Sequence, residues 1–274
     1  MDDNSDAQQI PKIETILAQH PYMRASLSFG GWTLSYLFHD MAANPASRAN
    51  FVKNAVAAMQ EVGFSGIDID WEYPVYNGAP GEPDYQTPED AANYASLLSE
   101  LRAALDAAGK ASNKHSDLSI AVSAGDDKIQ AIKTADPKAW ATIVASVDNV
   151  DLMDYDMHGA FDAGQTVPYN VTASQAPLAL DAARDPFANS PVLKKYNVKD
   201  SVAAYEAVGF SPKQIVLGMP IYGRMSNLGA NTPGNIDNLG LYQAMAGKVP
   251  AGEFDDWQSG PTGMFDYQCI VDHA

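Results

Sequence analysis

Residues 65–74 read Ser-Gly-Ile-Asp-Ile-Asp-Trp-Glu-Tyr-Pro. In an extended strand successive side chains point to opposite faces. Asp68, Asp70 and Glu72 therefore share one face, and Ile67, Ile69 and Trp71 the other. Neighbouring carboxyls on that face stand about 6.6 Å apart along the backbone, from a rise of about 3.3 Å per residue. Burial and like-charged neighbours both raise a carboxyl pKa, so the row is expected to hold at least one proton and to titrate as a coupled set. Glu72, at the outer end, suits a general acid still protonated near neutral pH. Asp70 can share that proton and then stabilise developing positive charge, with Asp68 tuning Asp70 from below. A D-x-D-x-E pattern has two other readings: an amphipathic strand with a solvated acidic face, and a carboxylate site for Mg2+ or Ca2+. Phe64, Ile67, Ile69, Trp71 and Tyr73 give the flanks an apolar character that a solvated edge strand rarely carries.

Around this stretch, short β-branched runs alternate with Ala-rich helical ones. Strands are expected over 24–32, 66–71, 117–125, 149–155 and 214–222. Helices are expected over 49–62, 88–108, 137–147 and 198–208, the second carrying a stripe of Leu97, Leu98, Leu101 and Leu105. Repeated strand–helix alternation argues a parallel sheet with helices outside it. Short apolar strands suit burial on both faces. A (β/α)8 barrel and an open doubly wound sheet both fit. Polar residues fall at the C-terminal ends of several strands: Ser28, then Asp70 and Glu72, then Tyr155 and Asp156, then Tyr222 and Arg224. Barrel enzymes gather their chemistry at that face. No GxGxxG or P-loop supports a nucleotide fold. Beyond Arg224, residues 226–261 are rich in Gly, Asn and Pro, with a helix-like piece around 239–247. This stretch reads as an inserted subdomain or a long active-site loop.

Composition narrows the partners. The 274 residues hold 17 Lys plus Arg against 34 Asp plus Glu, a net charge of −17. Such a surface repels phosphate backbones and anionic lipid, so neither nucleic acid nor membrane is an expected partner, while a neutral substrate is not penalised. No apolar run approaches the roughly 20 residues needed to span a bilayer. The acidic start, Met-Asp-Asp-Asn, is unlike a secretory signal. One cysteine, Cys269, excludes an intrachain disulfide and reads as a small buried residue. The five His show no HExxH-type spacing, so no metal or cofactor is expected. Trp257 reads as core of the inserted region, and His158 as lining a cleft or the surface.

FSGIDIDWEYP (64–74) resembles the DxxDxDxE signature of the chitinases of glycoside hydrolase family 18. SLSFGGW (26–32) resembles the family's SxGGW strand end, LMDYDMHGAFD (152–162) its MxYD strand, and GMPIYGR (218–224) its next-to-last strand. Order and spacing agree, so the resemblance covers about residues 9–270, nearest to bacterial members with an α+β insertion after the seventh strand; residues 117–129 fit that group too.

The resemblance implies a retaining mechanism in which the sugar's own N-acetyl oxygen, not a protein group, is the nucleophile. On it, Glu72 is the acid that becomes the base. Asp70 orients the acetamido N–H, with Asp68 behind it. Tyr155 bonds the acetamido oxygen and Asp156 holds the twisted sugar. Met153 lines the pocket and Ser28 sits beneath the row. Trp32 and Phe161 are sugar-stacking platforms, and Tyr222 and Arg224 bind flanking sugars. For Trp32 and Phe161 plain packing is the alternative, and for Arg224 a structural ion pair. The implied substrate is chitin or N-acetylglucosamine oligosaccharides, acted on by a secreted monomer without cofactor. The alternatives are an endo-β-N-acetylglucosaminidase, or a non-catalytic chitin-binding lectin, whose members usually lose the acid retained here as Glu72.

Two departures from the pattern stand out. The first signature Asp is Ser65 here, at the expected bottom of the row, so restoring it (Ser65→Asp) is expected to shift the pH profile. The family barrel has eight strands, of which five are placed in this chain; nothing before Ile10 resembles the first, and the last would follow Ala274. The expected architecture is an incomplete (β/α)8 barrel domain over 1–224, followed by part of an α+β insertion over 225–274.

Overall fold

The computed structural model describes residues 6–79, 86–228, 240–246, 249, 263–267 and 270–271. Trp257 and Cys269 lie outside them. The helices are α1 (Asp6–Gln19), α2 (Leu37–Ala43), α3 (Pro45–Glu61), α4 (Asp90–Ser112), α5 (Asp127–Ala135), α6 (Ala139–Ser146) and α7 (Val198–Ala207). The strands are β1 (Ser26–Gly30), β2 (Gly66–Asp70), β3 (Asp117–Ser123), β4 (Asn149–Met153), β5 (Ile215–Leu217), β6 (Tyr222–Arg224) and β7 (Met264–Asp266).

The first five strands form one sheet in the order β1-β2-β3-β4-β5. β1 runs parallel to β2 and β2 to β3, with Ser28 opposite Asp68 and Asp68 opposite Ser119. A doubly wound sheet reverses its strand order at a switch point. Here spatial order equals chain order throughout, so the architecture is an incomplete (β/α)8 barrel.

Two compact units divide the chain. One holds Met1–Val122, Gln130–Asp151 and Val208–Val216; the other holds Ser123–Ile129, Leu152–Ala207 and Leu217–Ala274. In the first, α3 starts where the Asn44 side chain accepts the N–H groups of Ala46 and Ser47 and Pro45 takes the first helical position, where its missing N–H costs nothing. The leucine stripe of α4 is fully buried, and α4 packs against α3 and α6. Arg48 on α3 reaches Glu100 on α4 at 2.9 Å. In the second unit α7 is tied to the end of β3 and the turn after it: Tyr205 donates to the Ser123 carbonyl at 3.0 Å, and Gly125 N–H to Ser201 Oγ at 2.9 Å.

Three expectations change. The run 214–222 is not one strand but β5 and β6, because Pro220 lacks the N–H a continuous ladder needs. The helix-like piece at 239–247 is, over its described residues, a turn with isolated bridges, Val171 to Ala244 and Leu228 to Met245. Gly240 and Tyr242 have φ of 79° and 59°, left-handed values that stop a helix. Finally, α1 occupies a region where only a missing strand was noted; it carries Pro11 inside it, which disguised it.

Candidate active site

The expected alternation is present over residues 67–71. Ile67, Ile69 and Trp71 are 0%, 0% and 1% exposed, while Asp68 and Asp70 on the opposite face are half-buried. Trp71 is boxed by Phe38 stacked at 5.5 Å and by the edges of His39 and Tyr94 at 5.2 and 5.5 Å. This packing fixes the outward face of β2 and so commits the carboxyls to the other. Glu72 follows the strand and is 9% exposed.

Hydroxyl groups hold the inner acid. Ser28 donates to Asp68 Oδ2 and Ser119 to Asp68 Oδ1, each at 2.7 Å. The Ser28 hydroxyl, expected among substrate-binding groups, is thus engaged by Asp68. Burial pushes the Asp70 carboxyl up to about 6, helped by the charge of Asp68. Asp70 Oδ1 is buried with no hydrogen-bond partner. Ser65 does not join the row. It has the parity of Ile67 and Ile69, and its hydroxyl donates to the Ala25 carbonyl at 3.3 Å.

Sequence reasoning missed three groups here. Asp151 on β4 is pushed up to about 6, by burial first and then by the Asp68 charge, against partial lowering by Ser119. Alternation within 149–155 places Asp151 on the face of Met153 and would have found it. Ser35 left no readable signal. It is buried, accepts the Glu72 N–H at 3.0 Å, and lies 2.8 and 2.9 Å from the carbonyls of Gly31 and Asp70. Asp90 ties down the segment after Glu72, its Oδ2 accepting from Val75 N–H at 3.1 Å and paired with His39 at 2.8 Å. Val75 has φ 65°, a strained value for a β-branched residue.

The Gly-Gly before Trp32 has a steric cause. Gly30 sits at φ 117°, and a Cβ there would collide with the Asp70 carbonyl oxygen. The chain then turns, with Gly31 N–H bonded to that oxygen at 2.8 Å. Trp32 is 39% exposed, its ring edge toward Tyr73 at 6.5 Å. Elsewhere in this unit His115, Asp117 and Asp148 bring ligand-type atoms within 4.8 Å of one another. Both carboxylates there are already paired with guanidinium groups, Asp117 with Arg24 at 2.7 Å and Asp148 with Arg102 at 2.9 Å.

The second unit gathers the other expected residues. Arg224 Nε donates to Asp156 Oδ1 at 2.5 Å, so Arg224 has the ion pair and Asp156 does not stand alone. The guanidinium lies over the rings of Phe161 and Tyr222, at 5.7 and 5.8 Å from their centroids, a favourable cation–π setting. Burial works against its charge, and Asp156 outweighs burial, raising the Arg224 pKa. Burial, reinforced by Asp156, pushes the Tyr222 phenol up. Tyr155 meets Tyr222 edge-on at 6.2 Å. Gly218 lets this happen: its N–H bonds the Leu152 carbonyl at 2.8 Å, and a Cβ would strike both that oxygen and the Tyr155 ring. Met153 is half-buried and Phe161 is 51% exposed. His158, expected at a cleft or the surface, is instead buried, paired with Asp162 at 3.0 Å and packed on Phe187.

The chain is 34% identical over 266 residues to Chitinase A1 of Niallia circulans, covering 97% of this chain and 35% of that protein. It is 35% identical over 219 residues to Chitinase 1 of Aphanocladium album, covering 78% and 44%. The solved structure of chitinase ChiA74 from Bacillus thuringiensis superposes with a TM-score of 0.77 at 30% identity, over 94% of this chain and 38% of that one. The chain thus spans less than half the length of the curated relatives it matches here. The family model for glycosyl hydrolases family 18 matches residues 1–273, and the chain belongs to that family.

Proposed function

We propose that this protein hydrolyses β-1,4-glycosidic bonds in chitin and chitooligosaccharides, with retention of anomeric configuration through substrate assistance. The observation that carries the reading is the face of β2 bearing Asp68 and Asp70 and leading to Glu72, with its other face locked by Ile67, Ile69 and the boxed Trp71. Family membership and the chitinase relatives support it.

In this scheme Glu72 protonates the glycosidic oxygen as the bond to the anomeric carbon breaks. The acetamido oxygen of the same sugar closes onto that carbon, giving an oxazolinium ion. Asp70 accepts the acetamido N–H, and its unpartnered Oδ1 has a lone pair for that purpose. Its carboxylate form then stabilises the cation. Water opens the ring, losing its proton to Glu72. Tyr155 is proposed to bond the acetamido oxygen and Asp156, steadied by Arg224, the twisted sugar. Met153, Trp32, Phe161 and Tyr222 are proposed to contact sugars, the exposed Trp32 and Phe161 by stacking.

The proposed domain boundary falls after Arg224. β6 pairs antiparallel with β7, and Met225 N–H bonds the Gly263 carbonyl at 2.8 Å, as expected where an inserted segment leaves and returns. A polymeric substrate argues for action outside the cell. Among the described residues no helix is long and apolar enough to cross a membrane.

The test is the configuration of the nascent product. Proton NMR during cleavage of a chitooligosaccharide is expected to show the β-anomer first, and a substrate lacking the N-acetyl group is expected to resist hydrolysis. An initial α-anomer would overturn the scheme.

A further inference from the structure

We propose that Gln175 is a positioning residue of the sugar site: its side-chain amide and its backbone carbonyl together hold β6, with Tyr222 and Arg224, against the segment that carries Tyr155 and Asp156. The inference rests on the roles proposed above for those four residues.

Gln175 makes one bond in each direction. Its Nε2 donates to the Tyr222 carbonyl at 2.7 Å, and its own carbonyl accepts the Met157 N–H at 2.9 Å. The first bond reaches the strand that begins at Tyr222 and ends at Arg224. The second reaches the peptide directly after Asp156. Asp156 has φ 55°, a left-handed value that a non-glycine residue keeps only where its surroundings impose it. Two other contacts cross the same gap, the Arg224–Asp156 ion pair and the edge of Tyr155 against Tyr222. A guanidinium on a flexible stem can follow a shifting carboxylate, and an edge contact between rings can slide. A short amide bonded to a carbonyl tolerates much less movement, because hydrogen bonds weaken steeply with distance and angle.

The stretch that bears Gln175 is itself pinned on both sides. Before it, Thr172 N–H bonds the Gln243 carbonyl at 2.9 Å, and Tyr242 N–H bonds the Thr172 carbonyl at 2.7 Å. After it, the Pro177 carbonyl accepts from Val198 at 3.0 Å and the Leu178 carbonyl from Lys199 at 3.1 Å, at the opening of α7. Gln175 therefore projects from a fixed bar, the kind of support that keeps reacting groups in register. Its amide is not chosen for stability alone. Oε1 is buried and has no hydrogen-bond partner among the described residues, a costly state for a polar atom. A methionine would fill similar space without that cost. What the amide adds is the N–H aimed at the Tyr222 carbonyl.

The experiment measures hydrolysis of a fluorogenic chitobioside by the full chain, by Gln175→Met, Gln175→Glu and Glu72→Gln, each corrected for the folded fraction. Gln175→Met removes the donor and the orphaned acceptor together. Its kcat is expected to fall about 10- to 100-fold while KM stays within about threefold, since Gln175 is assigned no sugar contact. A kcat within about twofold of the parent overturns the proposal. Gln175→Glu gives a signature that a merely structural residue would not. Ionised, the introduced carboxyl repels the Tyr222 carbonyl; protonated, it can donate to it. The ratio of variant to parent kcat is expected to rise as pH falls from about 8 to about 5. Asp156, Arg224, Tyr155 and Tyr222 are common to both proteins, so their titration cancels in the ratio. A ratio flat with pH overturns the proposal. If Gln175→Met does not fold, Gln175→Glu decides; if neither folds, Gln175 is structural and the proposal falls. If Glu72→Gln is as fast as the parent, the hydrolase reading falls and takes this one with it. If Glu72→Gln is inactive and both Gln175 variants match the parent, only Gln175 loses its role.

Discussion

The buried Ser35 hydroxyl accepts the backbone N–H of Glu72 at 3.0 Å. Its one proton is shared between the carbonyls of Gly31 and Asp70, at 2.8 and 2.9 Å. A single small side chain thus fastens the turn after β1 to the point where the proposed acid leaves β2. Ser35→Ala removes this acceptor from the Glu72 N–H, an expected cost of about 1–3 kcal/mol in urea unfolding. Because it loosens the acid and no proposed sugar contact, kcat is expected to fall about tenfold with KM little changed. An unchanged kcat would deny Ser35 any role in placing Glu72.

Trp32 is 39% exposed and meets Tyr73 only by an edge. Its removal to Ala is expected to change stability by no more than about 0.5 kcal/mol. A ring stacked on a sugar would lose about 1–1.5 kcal/mol of binding, a rise in KM of about tenfold. Stability loss without a KM change would make Trp32 a packing residue.

Ser65→Asp separates the sequence expectation from the structure. With Ser65 facing the Ala25 carbonyl and not Asp68, an aspartate there is expected to leave the pH profile of activity where it was. A shifted profile would return position 65 to the row.

Asp154 is fully buried and neither carboxylate oxygen has a partner. Burial pushes it from 3.8 to about 6, with Ser201 drawing it back only in part, since the Ser201 proton goes to the Asn197 carbonyl. The folded pKa exceeds the unfolded one, so the native state binds more protons between those values. The contribution of Asp154 to stability is then full below pH 3.8 and is lost as pH rises through about 6. Asp70 and Asp151 act in the same sense. Asp154→Asn is expected to flatten the decline and to be more stable than the parent at pH 7. Parallel curves of unfolding free energy against pH for the two proteins would refute this.

The sequence was most legible where one periodicity ruled. Each of the five strands of the main sheet lies within a run expected to be a strand, though 214–222 holds two strands rather than one, and the leucine stripe of α4 located a helix that proved fully buried on that side. The carboxyl face of β2 followed from alternation alone. The same rule, applied to residues 149–155, pointed at Asp151, which lacked a family motif to draw attention to it. Ser65 shows the opposite failure: the motif placed it in the row, and its parity, which was readable, placed it outside. Ser35 and the burial of His158 depend on contacts between segments distant in sequence, which no local pattern encodes. The split between β5 and β6 turned on Pro220, a breaker that an apolar run concealed.

The most direct measurement is the rate of hydrolysis of a fluorogenic chitobioside by this protein and by Glu72→Gln, which keeps the shape of the side chain and removes the transferable proton. Loss of general acid catalysis is expected to slow the reaction about 100- to 10,000-fold. Equal rates for the two proteins would contradict the assignment of Glu72 as proton donor.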